Sequence, residues 1–105
     1  AYALKLGRYN NKMFSRQQPG VIECDEGFSV QVLGRADLLY REGERQLVIE
    51  SEMLATPSGL VIYTDSIQTW EPPFHHEEIA MAKKAQIIDN IRRAFRWTGY
   101  EINVL

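Results

Sequence analysis

Hydrophobic and polar positions alternate in short runs over the first two-thirds of the chain, then switch to a helical repeat. Phe28, Val30 and Val32 alternate with Ser29 and Gln31, the period of a half-buried strand. Val21–Cys24 precedes them across Asp25-Glu26-Gly27, where the glycine suits a tight hairpin. Further strands are expected at Ala36–Tyr40, Gln46–Leu54 and Leu60–Tyr63. They are separated by Gly34-Arg35, the charged loop Arg41–Arg45 and the turn Thr56–Gly59. Before them, Ala3–Leu6 and Met13–Ser15 are candidate short strands, Tyr9–Lys12 is turn-like, and Gln17-Gln18-Pro19-Gly20 is a turn. Tight turns between short strands imply an antiparallel meander without βαβ crossovers.

The meander ends at Trp70-Glu71-Pro72-Pro73. Two prolines remove ladder donors and push the preceding residues out of the helical region, so a helix starts only beyond Pro73. Glu77 and Glu78 are placed for its first turn, where negative charge is favoured. Ile79, Ala80, Ala82, Ala85, Ile87, Ile88, Ile91, Ala94 and Phe95 then follow i, i+3, i+4 spacing. Ile88, Ile91 and Phe95 form one apolar row, worth roughly 1.5–3 kcal/mol per side chain when buried. Gly99 is the natural residue to end the helix, and Tyr100–Leu105 suits a last short strand. The expected fold is α+β: an antiparallel meander of five to seven strands, one long C-terminal helix on one face, and a short final strand. With 105 residues, no linker and no repeat, residues 1–105 are expected to form a single domain.

Composition adds little except in its distribution. Hydrophobic residues make up 45% and charged residues 25%, as in ordinary globular proteins. No apolar run reaches membrane-spanning length. One cysteine, Cys24, excludes an internal disulfide framework and reads as an inert strand residue in a reducing, cytoplasmic setting. Net charge is −2, yet Ile79–Leu105 carries +3 and the remainder −5. The helix is basic and the strand region acidic, so the two are expected to neutralise one another in part.

No pattern here carries catalytic chemistry. His75 and His76 are adjacent, point apart on a regular element, and lack a His-x-x-x-His or cysteine companion, so capping or solvation suits them better than a metal. Glu50 and Glu52 share a strand face without a pocket motif, which suits a polar face better than acid–base catalysis. Ser66, His75 and Asp65 lack a nucleophile elbow. Phosphate-binding and dinucleotide fingerprints are absent. Lys83, Lys84, Arg92, Arg93 and Arg96 make a basic stripe. Beside the acidic remainder it suits a solvated face better than nucleic acid. Trp70 is expected to wedge the corner between sheet and helix. Trp97 is a candidate partner anchor or a packing residue against Tyr100.

The run Thr64–Pro73, followed by Lys84, Ile87-Ile88, Asn90-Ile91, Ala94-Phe95 and Gly99–Ile102, resembles the immunity protein 74 family. Glu50–Leu54 with Gly59 is similar too, and residues 20–50 are similar loosely. The residues carrying the resemblance are chiefly Trp70, Glu71, Pro72, Pro73, Ile88, Ile91, Phe95 and Gly99. That family is predicted to supply the antidote half of bacterial polymorphic toxin systems. The resemblance implies an α+β fold, no enzymatic activity, no cofactor, and a cognate toxin blocked by occlusion in the cytoplasm. A basic toxin would suit the acidic residues Glu23, Asp25, Glu26, Glu42, Glu44, Glu50 and Glu52. Two other readings stand beside it: a structural or regulatory interaction module, and a nucleic-acid binder using the helix face. Exposed early strand edges leave a homodimer open.

Overall fold

Among the described residues, seven strands follow one another along the chain and lie side by side in the same order. The computed structural model describes residues 13–34, 36–54 and 59–105. The strands are β1 (Phe14–Gln18), β2 (Val21–Cys24), β3 (Phe28–Val32), β4 (Ala36–Glu42), β5 (Arg45–Met53), β6 (Leu60–Ile62) and β7 (Ile102–Val104). One helix, α1 (Met81–Trp97), lies between β6 and β7 in the chain. The sheet order is β1-β2-β3-β4-β5-β6-β7, with β1 and β7 outermost among the described strands. The architecture is α+β, as the patterning implies. The expected strand at Ala3–Leu6 and turn at Tyr9–Lys12 lie outside the described residues, as do Arg35 and most of the turn at Thr56–Gly59.

Period-two alternation builds the core face. Ile22, Val30, Tyr40 and Leu47 are consecutive cross-strand partners, forming a row across four strands. Val32, Leu38 and Ile49 form the next. Between β2 and β3, Gly27 adopts φ 103°, a conformation that costs a side-chain-bearing residue dearly. In β4, Asp37 also has positive φ (74°), at a shift in the β4–β5 register. A bulge there bends the strand and strengthens its twist.

The helix buries Ile87, Asn90, Ile91, Ala94 and Phe95 against this face. Ile88 is half-buried at its side. At the C-terminus, Gly99 has φ 93° and its N–H donates to the Arg96 carbonyl. Tyr100 N–H and Thr98 Oγ1 both donate to the Phe95 carbonyl, so the last turn is well satisfied.

Two expectations need correction. The helix starts at Met81, well beyond Pro73. Between them the chain turns at Phe74 and Glu77 and doubles back, with Thr69 and Glu78 forming an antiparallel bridge. The Ile79 N–H donates to the Gln68 carbonyl at 2.8 Å, and Ala80 is extended as N-cap. Glu77, Glu78, Ile79 and Ala80 therefore lie outside the helix, and its first turn has no acidic residue. The second correction concerns direction. β7 pairs parallel to β6, in register Leu60↔Ile102 and Ile62↔Val104. The helix returns the chain to the start of β6, so β6–α1–β7 is a crossover unit. Among the described residues, no helix is long and apolar enough to cross a membrane.

Candidate functional surfaces

Where α1 meets the sheet, a polar chain runs through the apolar contact. Asn90 lies in the buried row with Ile87, Ile91 and Ala94. Its Nδ2 donates to the Tyr40 hydroxyl at 2.9 Å. That hydroxyl donates to Glu42 Oε1 at 2.7 Å, and Lys83 Nζ closes on Glu42 Oε2. At the other end, Arg93 Nη2 donates to Asn90 Oδ1 at 2.7 Å. Arg93 also grips Glu26 through two bonds of 2.9 and 3.2 Å. The path Lys83–Glu42–Tyr40–Asn90–Arg93–Glu26 thus stitches helix to sheet from end to end.

The protonation states in this chain suit a fixed structure. Burial pushes the Tyr40 phenol far above its usual value, with the Glu42 carboxylate adding to the effect. Burial alone would raise Glu42, but bonds from Lys83 and Tyr40 outweigh it and hold the carboxyl below 4.5. The Arg93 bond holds Glu26 below 4.5 too. At neutral pH the phenol is protonated and both carboxyls are ionised, so no proton is poised for transfer. A group with a depressed folded pKa stabilises the fold above its unfolded value and loses that contribution as pH falls through the folded one. Denaturant titrations should therefore show stability falling as pH drops below about 4.5, with Lys83→Met and Arg93→Met each flattening the slope.

The seven acidic residues expected to meet a partner divide by position. Glu26 and Glu42 lie on the helix side and are held by Arg93 and Lys83. Glu23, Glu50 and Glu52 point away from the helix, and Asp25 and Glu44 sit exposed in the hairpin turns. Ser51, between Glu50 and Glu52, turns into the core. Glu52 accepts from the Tyr63 hydroxyl at 2.9 Å. Glu23, Asp25, Glu44 and Glu50 make no ion pair among the described residues. Glu23 and Asp25 share a shallow hollow of about 470 Å³ with Ser15, Ser29 and Arg41.

The basic stripe is largely spent within the molecule: Lys83 on Glu42, Arg93 on Glu26, and Arg96 on Glu101 at 3.0 Å. Trp70 is 5% exposed and stacks on Tyr40, with ring centroids 6.5 Å apart. The next N–H, of Glu71, donates to the Gln46 carbonyl and ties the corner to β5. Pro72 and Pro73 are exposed and joined by a cis bond. Glu77 pairs with Arg45 through two 2.9 Å bonds, and that guanidinium covers the Phe74 ring at 4.2 Å. Trp97 stacks on Phe14 at 6.0 Å, a partner on β1 that its place beside Tyr100 does not suggest.

His75 and His76 sit in a turn, so their rings come together at 4.1 Å instead of pointing apart, and both are exposed. Among the described residues, no cluster of three or more metal-ligating side chains occurs. The Ser66 hydroxyl donates to the Tyr63 carbonyl and accepts from the Glu50 N–H, with no histidine at hand. Cys24 is buried, and burial pushes its thiol up.

Sequence reasoning did not single out Tyr40 or Asn90 as a pair. Its one available signal was a polar residue, Asn90, inside the apolar helix row.

The model of the family described as Immunity protein 74 matches residues 30–104. The chain belongs to the immunity protein 74 family. The match runs from within β3 through β7 and takes in the Trp70–Pro73 corner, α1 and most of the polar chain. Glu26, the outermost acid of that chain, lies just before it. No curated protein and no solved structure matches this family member. Family membership implies a toxin partner in general.

Proposed function

We propose that the chain is a non-catalytic immunity protein that binds a toxin domain in the cytoplasm and blocks it by occlusion. The family match over residues 30–104 carries this reading. Two features of the surface support it. Tyr40, Glu42 and Lys83, the group most like a catalytic constellation, are tied up in mutual hydrogen bonds and line neither the hollow beside Glu23 nor the apolar cavity at the helix end. Glu23, Asp25, Glu44, Glu50 and Glu52 remain turned to solvent on the sheet side, where they suit a basic toxin. A nucleic-acid surface on the helix is disfavoured because three of its five cations already hold carboxylates.

The direct test is co-expression with a candidate toxin domain sought among the genes neighbouring the one for this chain. Rescue of growth supports the reading, and unrelieved toxicity rejects it. For the charge component, the triple change Glu23→Lys, Glu50→Lys and Glu52→Lys should weaken toxin binding by about tenfold or more, mainly through the association rate. The salt dependence of association should flatten with it. Unchanged rates and slope would remove the acidic face from the interface.

A further inference from the structure

At the C-terminal end of α1 the ends of β2, β3, β5 and β6 enclose an open cavity of about 520 Å³. Ile22, Leu60 and Phe95 form its buried floor. Met53, Leu54 and Tyr100 form its rim, at 50%, 45% and 49% exposure. Exposed apolar side chains gathered around a concave site suit the docking of an apolar group. Among the described residues, the lining holds no carboxylate and one cation, Arg16. Arg16 makes no ion pair among the described residues, and its guanidinium lies 6.0 Å from the centre of the Trp97 ring. The helix-end carbonyl of Phe95 is already capped by Thr98 and Tyr100, so among the described residues Arg16 is the charged group that faces a ligand here. The cavity lies at the opposite end of β2 from the hollow of Glu23 and Asp25.

Resting on the toxin-binding reading above, we propose that this cavity is where the toxin is gripped. A large apolar side chain of the toxin enters the cavity, and a neighbouring toxin carboxylate pairs with Arg16. The volume accommodates an aromatic or branched side chain with room for its neighbours. Trp, Tyr, Met and Arg gathered at one spot is the composition of a binding hot spot. On the far side of Arg16 lies Trp97, 39% exposed, which a protein would cover and a small molecule in the cavity would leave wet. A guanidinium without an acidic partner at an apolar mouth selects an acid over a base through a charge-assisted, bidentate bond.

Two measurements test this. In amide-resolved NMR titrations of the purified chain, acetyl-Glu-Leu-Phe-amide should shift the resonances of Ile22, Leu54, Leu60 and Tyr100. It should bind about fivefold tighter than acetyl-Lys-Leu-Phe-amide. Arg16→Gln should erase that preference without changing the melting temperature. Equal binding of the two peptides, or shifts centred elsewhere, overturns the chemistry proposed for the cavity. In the co-expression assay, Met53→Glu with Leu54→Glu, both at exposed positions, should weaken toxin binding by about tenfold or more and lose protection. Protection by the wild type and the double variant alike overturns the cavity as the gripping site while leaving the toxin reading intact. Failure of the wild type to protect rejects the toxin reading, and the proposed occupant with it, whatever the peptides do.

Discussion

Replacing Trp70 with alanine is expected to cost the fold about 3–5 kcal/mol. The side chain is 5% exposed, and its ring stacks on Tyr40 at an interplanar angle of 24°. Tyr40 in turn stacks on Phe28, Phe28 meets Phe14 edge-on, and Phe14 stacks on Trp97. Trp70 is thus the first member of an aromatic chain that crosses the sheet, and it fills the corner where the chain leaves the bridge at Thr69 and Glu78 and is tied to β5 through the Glu71 N–H. Truncation removes the contact area and leaves a void that the short, proline-bound corner is poorly able to close. Denaturant unfolding followed by circular dichroism should show a lower midpoint with an unchanged slope. Trp70→Phe should recover part of the loss. A Trp70→Ala protein with wild-type stability but no toxin binding would move this residue from the architecture to the interface.

Asn90→Ala should cost about 2–3 kcal/mol, a large effect for a residue of its size. Asn90 is 5% exposed and serves two partners, donating to Tyr40 and accepting from Arg93. Its removal leaves the phenol without a donor and takes a partner from a guanidinium whose Nε is already buried without a hydrogen bond. Tyr40→Phe should also destabilise, because it strands Asn90 Nδ2 and one Glu42 oxygen. Since the two residues share one bond, the double variant should lose less than the sum of the single losses. Strict additivity in a double-mutant cycle, measured at pH 7, would show that the two side chains act independently.

Much of the sheet is legible along the chain. Alternation at Phe28–Val32 and the Asp25-Glu26-Gly27 turn describe a hairpin from local terms alone. Pro72 and Pro73 read as the end of the meander, yet its last strand, β6, already stops at Ile62, and a 3-10 turn at Thr64–Ser66 and the bridge at Thr69 lie between. The start of the helix does not follow from the prolines. It depends on Ile79 giving its N–H to Gln68, eleven residues earlier in the chain, and no local propensity signals that bond. Strand direction is hidden likewise. Alternation at Tyr100–Leu105 suggests a strand, but its parallel pairing with β6 follows from where the helix delivers it.

The surface was less legible than the fold. The opposed charges of helix and strand region are plain in the sequence, and so is the expectation that they partly cancel. Which acids are consumed is settled by the Arg93–Glu26 and Lys83–Glu42 pairs, each joining distant segments. The apolar cavity leaves no trace in any single stretch. Its walls come from β1–β2, β3, β5, β6 and the helix end, and each contributes one to three residues that read as ordinary strand, turn or helix-end positions.

The parallel pairing of β7 also shapes how the molecule holds together. Each ladder from β1 to β6 is closed by a connection between strands adjacent in sequence. The β6–β7 ladder must close a loop of roughly 40 residues, an entropic cost that grows with the logarithm of loop length. Three residue pairs offer little to offset it, so the compensation comes from burying Ile87, Ile91 and Phe95 along the way. The far edge of the sheet and the seat of the helix are consequently one cooperative unit. Whatever loosens the helix frays that edge, and an intact edge reports that the helix is seated.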